Sequence, residues 1–319
     1  MTTESTSEIN AAAAPQTRSP SRTGAIGLAL LVTFLWSTSW VLIRFGLREV
    51  PAMTFAGLRY TIAAACLLPF LFRPQTRASM RRMDRRQWVL LILMGIVFYA
   101  IAQGAQYLGL VYLSMASASL LLNLTAIVVA GAGVILLAEA PTRLQWIGVV
   151  LSLAGIGLFF YPPAFTGQDW LGIIIILVSM LANSAGTLVG RQLNRSGNIP
   201  PIVVTGVSMA IGAVLMLTSG ILIQGLPKIS ILSWAAIIWM AVVNTAFAFT
   251  LWNYTQRTLI AMETSVINNT MTVQIAILGW IFSGEGLSGL EIGGILLVTI
   301  GTVLVQLRRL QKVNPQSGT

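Results

Sequence analysis

Polar side chains recur at helical spacing inside apolar stretches of the sequence. The clearest case is INNTMTVQ, residues 267–274, which has five polar residues in eight positions and lies between TSV and IAILGWIF. An unpaired amide in hydrocarbon costs about 2–7 kcal/mol, so these side chains cannot all face lipid. At about 100° per residue they form two stripes on a helix. One stripe holds Ser265, Asn268, Asn269 and Thr272, and the other, on roughly the opposite side, holds Glu263, Thr270 and Gln274.

The two stripes need two different polar surroundings. We expect the first stripe to line a water-accessible cavity, where its amides and hydroxyls can bind a solute. We expect the second stripe to bond to a neighbouring helix, as polar side chains within membranes commonly do.

Five other segments carry polar and aromatic side chains at similar spacing. Amides can bond the ammonium or carboxylate of a zwitterion, and Trp and Tyr rings offer faces to apolar groups and cations. This mixture favours a small organic solute, although any single Trp can instead anchor a helix at the membrane interface. The candidate substrate-binding residues on these segments are Trp36, Ser37, Trp40, Tyr99, Gln103, Gln106, Tyr107, Ser119, Asn123, Asn183, Thr187, Asn244, Trp252 and Asn253.

Two charged residues are candidates for gating or energy coupling. Arg59 lies about seven residues into an apolar segment, and an ionisable residue at that depth is a functional candidate. Even so, we expect its long side chain to reach back to the outer membrane surface. Glu263 is near the inner end of its segment, and it is the only carboxylate that is a candidate for coupling, although we expect facilitated transport that follows the solute gradient.

The sequence offers little for catalysis or metal binding. It has no histidine and a single cysteine, Cys66, which removes the commonest metal ligand and any disulfide framework. It also has no P-loop, zinc motif or nucleophile elbow. We therefore expect no metal, no cofactor and no enzymatic activity.

The elements that position these residues are predicted to be transmembrane helices. Hydrophobic residues make up 56% of the chain and charged residues 9%, the mean hydropathy is +0.83, and soluble domains are about 25% charged. Residues 1–23 are rich in Ser, Thr, Ala and Pro, which predicts a disordered tail. Ten apolar segments long enough to cross a bilayer follow. They lie near 24–46, 52–72, 88–111, 115–137, 143–161, 170–192, 200–223, 231–254, 263–282 and 288–307, before a short tail at 308–319.

The distribution of Lys and Arg predicts the orientation. With the N-terminus inside, fifteen of these residues lie on the inner side and three on the outer side, and six of the fifteen are arginines in the loop 73–87. Both termini are therefore expected to be cytoplasmic. The net charge of +10 reflects topology and contact with anionic lipid, and we expect no nucleic-acid partner.

The chain resembles itself at an offset of 146 residues. Each half contains five predicted spans, an odd number, so the two halves must have opposite orientations in the membrane. Such inverted repeats are typical of secondary transporters, which bind substrate near mid-membrane at the repeat interface. Glycines spaced by seven residues predict close packing of the fifth and tenth spans. Matched pairs across the offset include Ser119 and Ser265, Asn123 and Asn269, Glu139 and Glu285, Gly148 and Gly294, and Gly155 and Gly301.

The matched segments resemble a known family. MASASLLLNLTAIVVAGAGVILLAEAPTRLQWIGVVLSLAGIGLF and METSVINNTMTVQIAILGWIFSGEGLSGLEIGGILLVTIGTVLV are similar to the closing part of the EamA repeat of the drug/metabolite transporter superfamily. GLRY, residues 57–60, resembles an Arg-aromatic pair common in the second span. The family usually has a proline about a dozen residues before each of the two glutamates, and this chain has Thr125 and Met271 in that region instead.

The resemblance implies an all-α membrane protein of ten transmembrane helices, arranged as two inverted five-helix repeats at 24–161 and 170–307. It also implies that spans 1, 3, 4, 6, 8 and 9, which are the spans with polar stripes, line a central cavity. We expect a bacterial inner-membrane exporter of amino acids or related small metabolites that works by alternating access. A multidrug or nucleobase exporter, or a non-transporting membrane scaffold, are the alternatives. The expected partners are a small-molecule substrate and membrane lipid, and the sequence does not give the oligomeric state.

Overall fold

The fold is a bundle of helices that extends over both halves of the chain. A computed structural model describes residues 21–137, 142–162, 166–195, 199–255, 258–259, 261–284 and 286–306, and it contains no strand within these ranges. In chain order the elements are α1 (Arg22–Gly46), α2 (Ala52–Leu71), α3 (Pro74–Arg81), α4 (Arg85–Met94), π1 (Gly95–Gln103), α5 (Gly104–Tyr112), α6 (Met115–Leu122), α7 (Leu124–Leu137), α8 (Arg143–Phe159), α9 (Gly167–Arg195), α10 (Pro201–Gln224), α11 (Ile231–Ala241), π2 (Val242–Phe247), α12 (Ala248–Thr255), α13 (Ala261–Ser283) and α14 (Gly289–Gln306).

These elements follow the ten predicted spans closely. Five described segments are long and apolar enough to cross a membrane, and further apolar helices are shorter. The third span is built from α4, π1 and α5, the fourth from α6 and α7, and the eighth from α11, π2 and α12. The prediction of an all-α membrane protein with two repeats is confirmed.

Glycines bring the fifth and tenth spans, α8 and α14, into backbone contact. A Cβ atom built on Gly148 would lie 2.6 Å from the carbonyl oxygen of Gly301, and one built on Gly155 would lie 2.8 Å from that of Gly294. Residue numbers rise along one helix as they fall along the other, so the two helices are antiparallel. The close packing predicted from the glycine spacing is confirmed.

The second and seventh spans, α2 and α10, pack in the same way. A Cβ atom on Gly57 would lie 2.5 Å from the Cα of Leu217, and one on Gly220 would lie 2.6 Å from the backbone nitrogen of Thr54. This contact is also antiparallel. In both pairs a helix of the first repeat meets its counterpart in the second with reversed direction, as the inverted repeats require.

Two π-helical segments occupy matched places in the repeats. The segments π1 and π2 begin at Gly95 and Val242, in the third and eighth spans, 147 residues apart. In a π-helix the hydrogen bonds run from residue i to residue i+5. Such segments are rare in proteins, and those that occur are often located at functional sites. The polar residues of π2 contact the first repeat, and Gln103 of π1 contacts Tyr60 of α2 within the first repeat.

Two local features were not predicted. The fourth span is interrupted at Asn123, where α6 ends and α7 begins, in the region where the family proline is missing, whereas α13 continues through the equivalent region of the ninth span. The basic loop 73–87 contains the short helix α3, which starts at Pro74. Proline suits the first helical turn, because its missing N–H would have no partner inside the helix there.

Candidate functional site

The centre of the candidate site is a buried arginine. Arg59 on α2 is only 7% exposed. Its Nη1 donates to the Tyr107 hydroxyl of α5 at 2.9 Å, and its Nε and Nη2 donate to the Thr245 hydroxyl of π2 at 3.3 and 3.2 Å. The guanidinium carbon lies 5.5 Å from the centre of the Tyr60 ring. Arg59 therefore joins the two repeats through neutral partners.

The expectation that Arg59 reaches the outer surface is wrong. Its side chain turns into the bundle because two hydroxyl groups there accept its hydrogen bonds. Among the described residues, no carboxylate pairs with it. Taking an ion out of water costs several kcal/mol when no opposite charge compensates it, so this residue carries a penalty that a purely structural arginine would avoid.

A second aromatic and amide group adjoins the arginine. The Tyr60 hydroxyl donates to Gln103 Oε1 at 2.7 Å, and the Tyr60 and Tyr99 rings meet edge to face at 5.9 Å. Gln103 and Tyr99 both lie on π1. The structure thus brings together four predicted residues, Arg59, Tyr99, Gln103 and Tyr107, with Tyr60 and Thr245, which were not among the predicted site residues.

The second stripe of the ninth span binds the first span, as expected. Gln274 on α13 accepts a hydrogen bond from Ser37 at 2.9 Å, and its Nε2 donates to Thr33 at 3.3 Å and to Thr270 at 3.1 Å. Ser37, predicted to bind substrate, also donates to the Thr33 carbonyl at 2.8 Å. These contacts leave Ser37 as part of an interhelical bond between the repeats.

The first stripe of the ninth span meets the break in the fourth. Asn123 donates both to Thr272 and, at 3.3 Å, to the Ser119 carbonyl oxygen. Asn269 and Thr272 are buried at 4% exposure each, whereas Asn268 is exposed. The Ser119 hydroxyl donates to the Ala116 carbonyl at 3.0 Å. Asn123 and Thr272, which were each predicted as site residues, thus form a contact between the repeats.

The eighth span contacts the first through an amide and aromatic rings. Asn244 on π2 is fully buried, and its Nδ2 donates to the Leu35 carbonyl and the Ser39 hydroxyl, both at 2.7 Å. The Trp36 ring lies 5.2 Å from that of Trp252. Asn244 Oδ1 has no hydrogen-bond partner among the described residues. This orphaned acceptor is the kind of group that a bound donor could satisfy.

The remaining predicted residues are not joined to these groups by the described contacts. Trp40 is buried in the apolar core. Gln106, Asn183 and Thr187 are half-buried, and Thr187 donates to the Asn183 carbonyl at 2.8 Å within its own helix. The side chains of Asn253, Ser265 and Glu263 lie outside the described part of the chain, as do Glu139 and Glu285.

A carboxylate connects the repeats at the predicted outer end. Glu49, between α1 and α2, accepts hydrogen bonds from the Ser233 hydroxyl, from the Ser230 hydroxyl at 2.7 Å and from the Ser230 backbone nitrogen at 2.6 Å. The hydrogen bond from Ser233, followed by those from Ser230, lowers the pKa of Glu49 below its ordinary value of 4.5. Glu49 therefore stays ionised at neutral pH and caps the start of α11.

No grouping of three or more His, Cys, Asp or Glu side chains is found among the described residues. The site groups are instead amides, hydroxyls, aromatic rings and one guanidinium. Such groups can bind and release a solute.

The chain is similar to two proteins that are named transporters. The chain is 22% identical over 273 residues to "Uncharacterized transporter YoaV" of Bacillus subtilis (strain 168), covering 85% of this chain and 92% of that protein. It is 26% identical over 125 residues to an "Uncharacterized transporter" of Archaeoglobus fulgidus, covering 39% of this chain and 42% of the relative. A solved crystal structure aligns with a TM-score of 0.62 and 19% identity over 89% of this chain and 96% of the other, which indicates a shared fold.

The model of the EamA-like transporter family matches twice, at residues 23–161 and 170–307. These matches include both polar stripes of the ninth span and the buried arginine of the second. The chain is a transmembrane transporter that belongs to the EamA-like transporter family.

Proposed function

We propose that this protein exports amino acids or related small metabolites across the bacterial inner membrane, with both termini in the cytoplasm. The observation that supports this proposal best is the polar interface between the two repeats. Arg59 with Thr245, Asn123 with Thr272, Ser37 with Gln274, and Ser39 with Asn244 each join one repeat to the other.

Alternating access needs contacts between the repeats that can break and re-form. Individual interhelical hydrogen bonds in membranes are weak, about 0.6 kcal/mol each. A solute that bonds to the same side chains can replace them as the repeats move. The backbone contacts at the glycines of α8 and α14 are the natural fixed points, because they are close and contain no exchangeable side chain.

A loading experiment tests export directly. Cells that express the protein are loaded with dipeptides, and the amino acids released into the medium are followed against time. We expect faster release of at least one amino acid and resistance to its toxic analogues. The matched control is Gly157→Ala, at a position where an added Cβ has no neighbour within 4 Å. Equal release with and without the protein, for every amino acid, would reject the proposal.

A multidrug or nucleobase exporter is the alternative within transport, and the Trp36–Trp252 pair suits flat aromatic solutes. A non-transporting scaffold is the alternative from another class. Cysteines placed at 103, 123 and 269 in a Cys66→Ala background separate transport from scaffolding. A scaffold has a dry core and excludes a water-soluble thiol reagent from all three positions, whereas a transporter admits the reagent in at least one state.

A further inference from the structure

Arg59 is a buried charged side chain at the polar interface between the repeats, and some of its N–H groups have no hydrogen-bond acceptor among the described residues; the other charged side chain described at this interface, Glu49, lies at its predicted outer end and bonds to Ser230 and Ser233. A guanidinium has five N–H donors in a fixed fork. Three of them bond to Tyr107 and Thr245. The other two have no acceptor among the described residues, and no anion there balances the charge.

The Nε and Nη2 edge of the fork is one of the two edges that can form two parallel bonds to a carboxylate. Here a single oxygen, the Thr245 hydroxyl, lies across this edge at 3.3 and 3.2 Å. The hydrogen of Thr245 is already donated to the Met240 carbonyl at 2.9 Å. Its hydroxyl oxygen thus occupies the place that a carboxylate oxygen would take in a bidentate pair.

The two partners of Arg59 belong to different repeats. Tyr107 is on α5, which belongs to the first repeat like the α2 helix of Arg59. The Phe55 ring packs edge to face against the Tyr107 ring, with 5.5 Å between the ring centres. Thr245 is on π2 of the second repeat. Movement of the repeats would withdraw Thr245 and expose the Nε and Nη2 edge, while Tyr107 would keep the guanidinium oriented.

We propose that Arg59 binds the carboxylate of the transported solute, which replaces Thr245 on the guanidinium, and that the substrates are therefore carboxylates. The Tyr107 hydroxyl accepts from Arg59, and its own hydrogen has no acceptor among the described residues, so it is available for the same carboxylate. This proposal rests on the proposed transport function and adds the charge class of the substrate to it.

Binding of matched compounds tests the proposal on the unmodified protein. The purified protein is titrated with the twenty amino acids, followed by their α-amides and the corresponding decarboxylated amines, and thermal stabilisation reports binding. We expect carboxylates to bind at least about tenfold more tightly than their amides, the lower bound for a charge-assisted hydrogen bond. Equal affinities for acid and amide would overturn the carboxylate proposal, whereas no binding by any compound would reject amino-acid transport itself.

Variants separate recognition from structure. Arg59→Gln and Tyr107→Phe are expected to reduce the preference for acid over amide, and Arg59→Lys to restore part of it because the charge remains. Thr245→Val removes the competing oxygen and is expected to increase the preference. Arg44→Gln is the control, because Arg44 donates to the backbone carbonyls of α5 and the residue after it. An unchanged preference for acid over amide in Arg59→Gln would refute the proposal. If that variant fails to fold, Thr245→Val is the deciding test: an increased preference supports the proposal, and an unchanged preference refutes it.

Discussion

The contact between α8 and α14 gives a sharp prediction for stability. In Gly148→Ala the new methyl carbon would lie 2.6 Å from the Gly301 carbonyl oxygen, 2.7 Å from the Val305 nitrogen and 2.9 Å from the Leu304 Cβ. Contacts below 3.0 Å require something to move, and two of these three atoms belong to backbone, which yields little. Overpacking of this kind costs about 1–3 kcal/mol.

The helix propensity of alanine works in the opposite direction. Replacing glycine by alanine inside a helix gains up to about 1 kcal/mol. The control Gly157→Ala, on the same helix, gains the same propensity and meets nothing within 4 Å. Comparing the two variants cancels the propensity, so Gly148→Ala should be less stable than Gly157→Ala by about 1–3 kcal/mol.

Thermal unfolding of both variants in the same detergent measures the difference. We expect Gly148→Ala to unfold several degrees below Gly157→Ala. Gly301→Ala, which approaches the same contact from α14, should behave like Gly148→Ala, because its Cβ would lie 2.6 Å from the Gly148 carbonyl oxygen. Unfolding midpoints that agree for Gly148→Ala and Gly157→Ala would show that α8 and α14 are not in backbone contact.

Three further predictions concern pH and transport. Folding lowers the pKa of Glu49, so its stabilising effect is present above the unfolded pKa of about 4.5 and is lost as the pH falls through the lower folded pKa. The unfolding midpoint of the wild type should therefore fall more steeply below pH 4.5 than that of Glu49→Gln. Parallel pH profiles for the two proteins would contradict this prediction. Asn123→Ala and Asn269→Ala should each lower the transport flux by up to about tenfold, which is the effect of one lost hydrogen bond to the solute. The unfolding midpoint should change little. A loss of stability in proportion to the loss of flux would instead favour a purely structural role. Transport in proteoliposomes should equilibrate the solute without accumulating it, because Glu263, the candidate carboxylate for coupling, is expected near the aqueous inner surface. Accumulation that is driven by a pH gradient and abolished in Glu263→Gln would contradict facilitated transport.

The sequence predicts the helices well because their limits depend on local chemistry. Apolar runs, glycines and charges mark where a chain can leave the bilayer, and the observed spans begin and end within a few residues of the predicted ones. Periodicity of about 100° per residue also identified the polar faces, including the opposed stripes of α13. It could not predict the π-helical segments, since an i→i+5 turn departs from that period.

The helix that each polar face contacts is determined by how the helices pack together. Sequence periodicity does not predict this packing. Thr33 and Tyr60 lie in apolar or aromatic surroundings in the sequence. Only the contact with Gln274 shows that Thr33 belongs to the interface between the repeats, and only the contact with Gln103 shows that Tyr60 adjoins the site within the first repeat. The fourth span breaks at Asn123 without a proline, and there the asparagine side-chain amide bonds to the Ser119 carbonyl, which also accepts the backbone N–H of Asn123 at 3.2 Å.

Arg59 shows why the side-chain direction was mispredicted. Arg59 lies about 10 Å from the start of α2, at 1.5 Å per residue. From this depth an arginine side chain can either reach the membrane surface or turn inward. The outcome depends on whether acceptors exist inside, and these come from Tyr107, 48 residues away along the chain, and Thr245, 186 residues away. Both acceptors are neutral, so the arginine is oriented without being neutralised. A guanidinium held in this way keeps a charge that an anion can pair with, whereas a structural ion pair would already have compensated it.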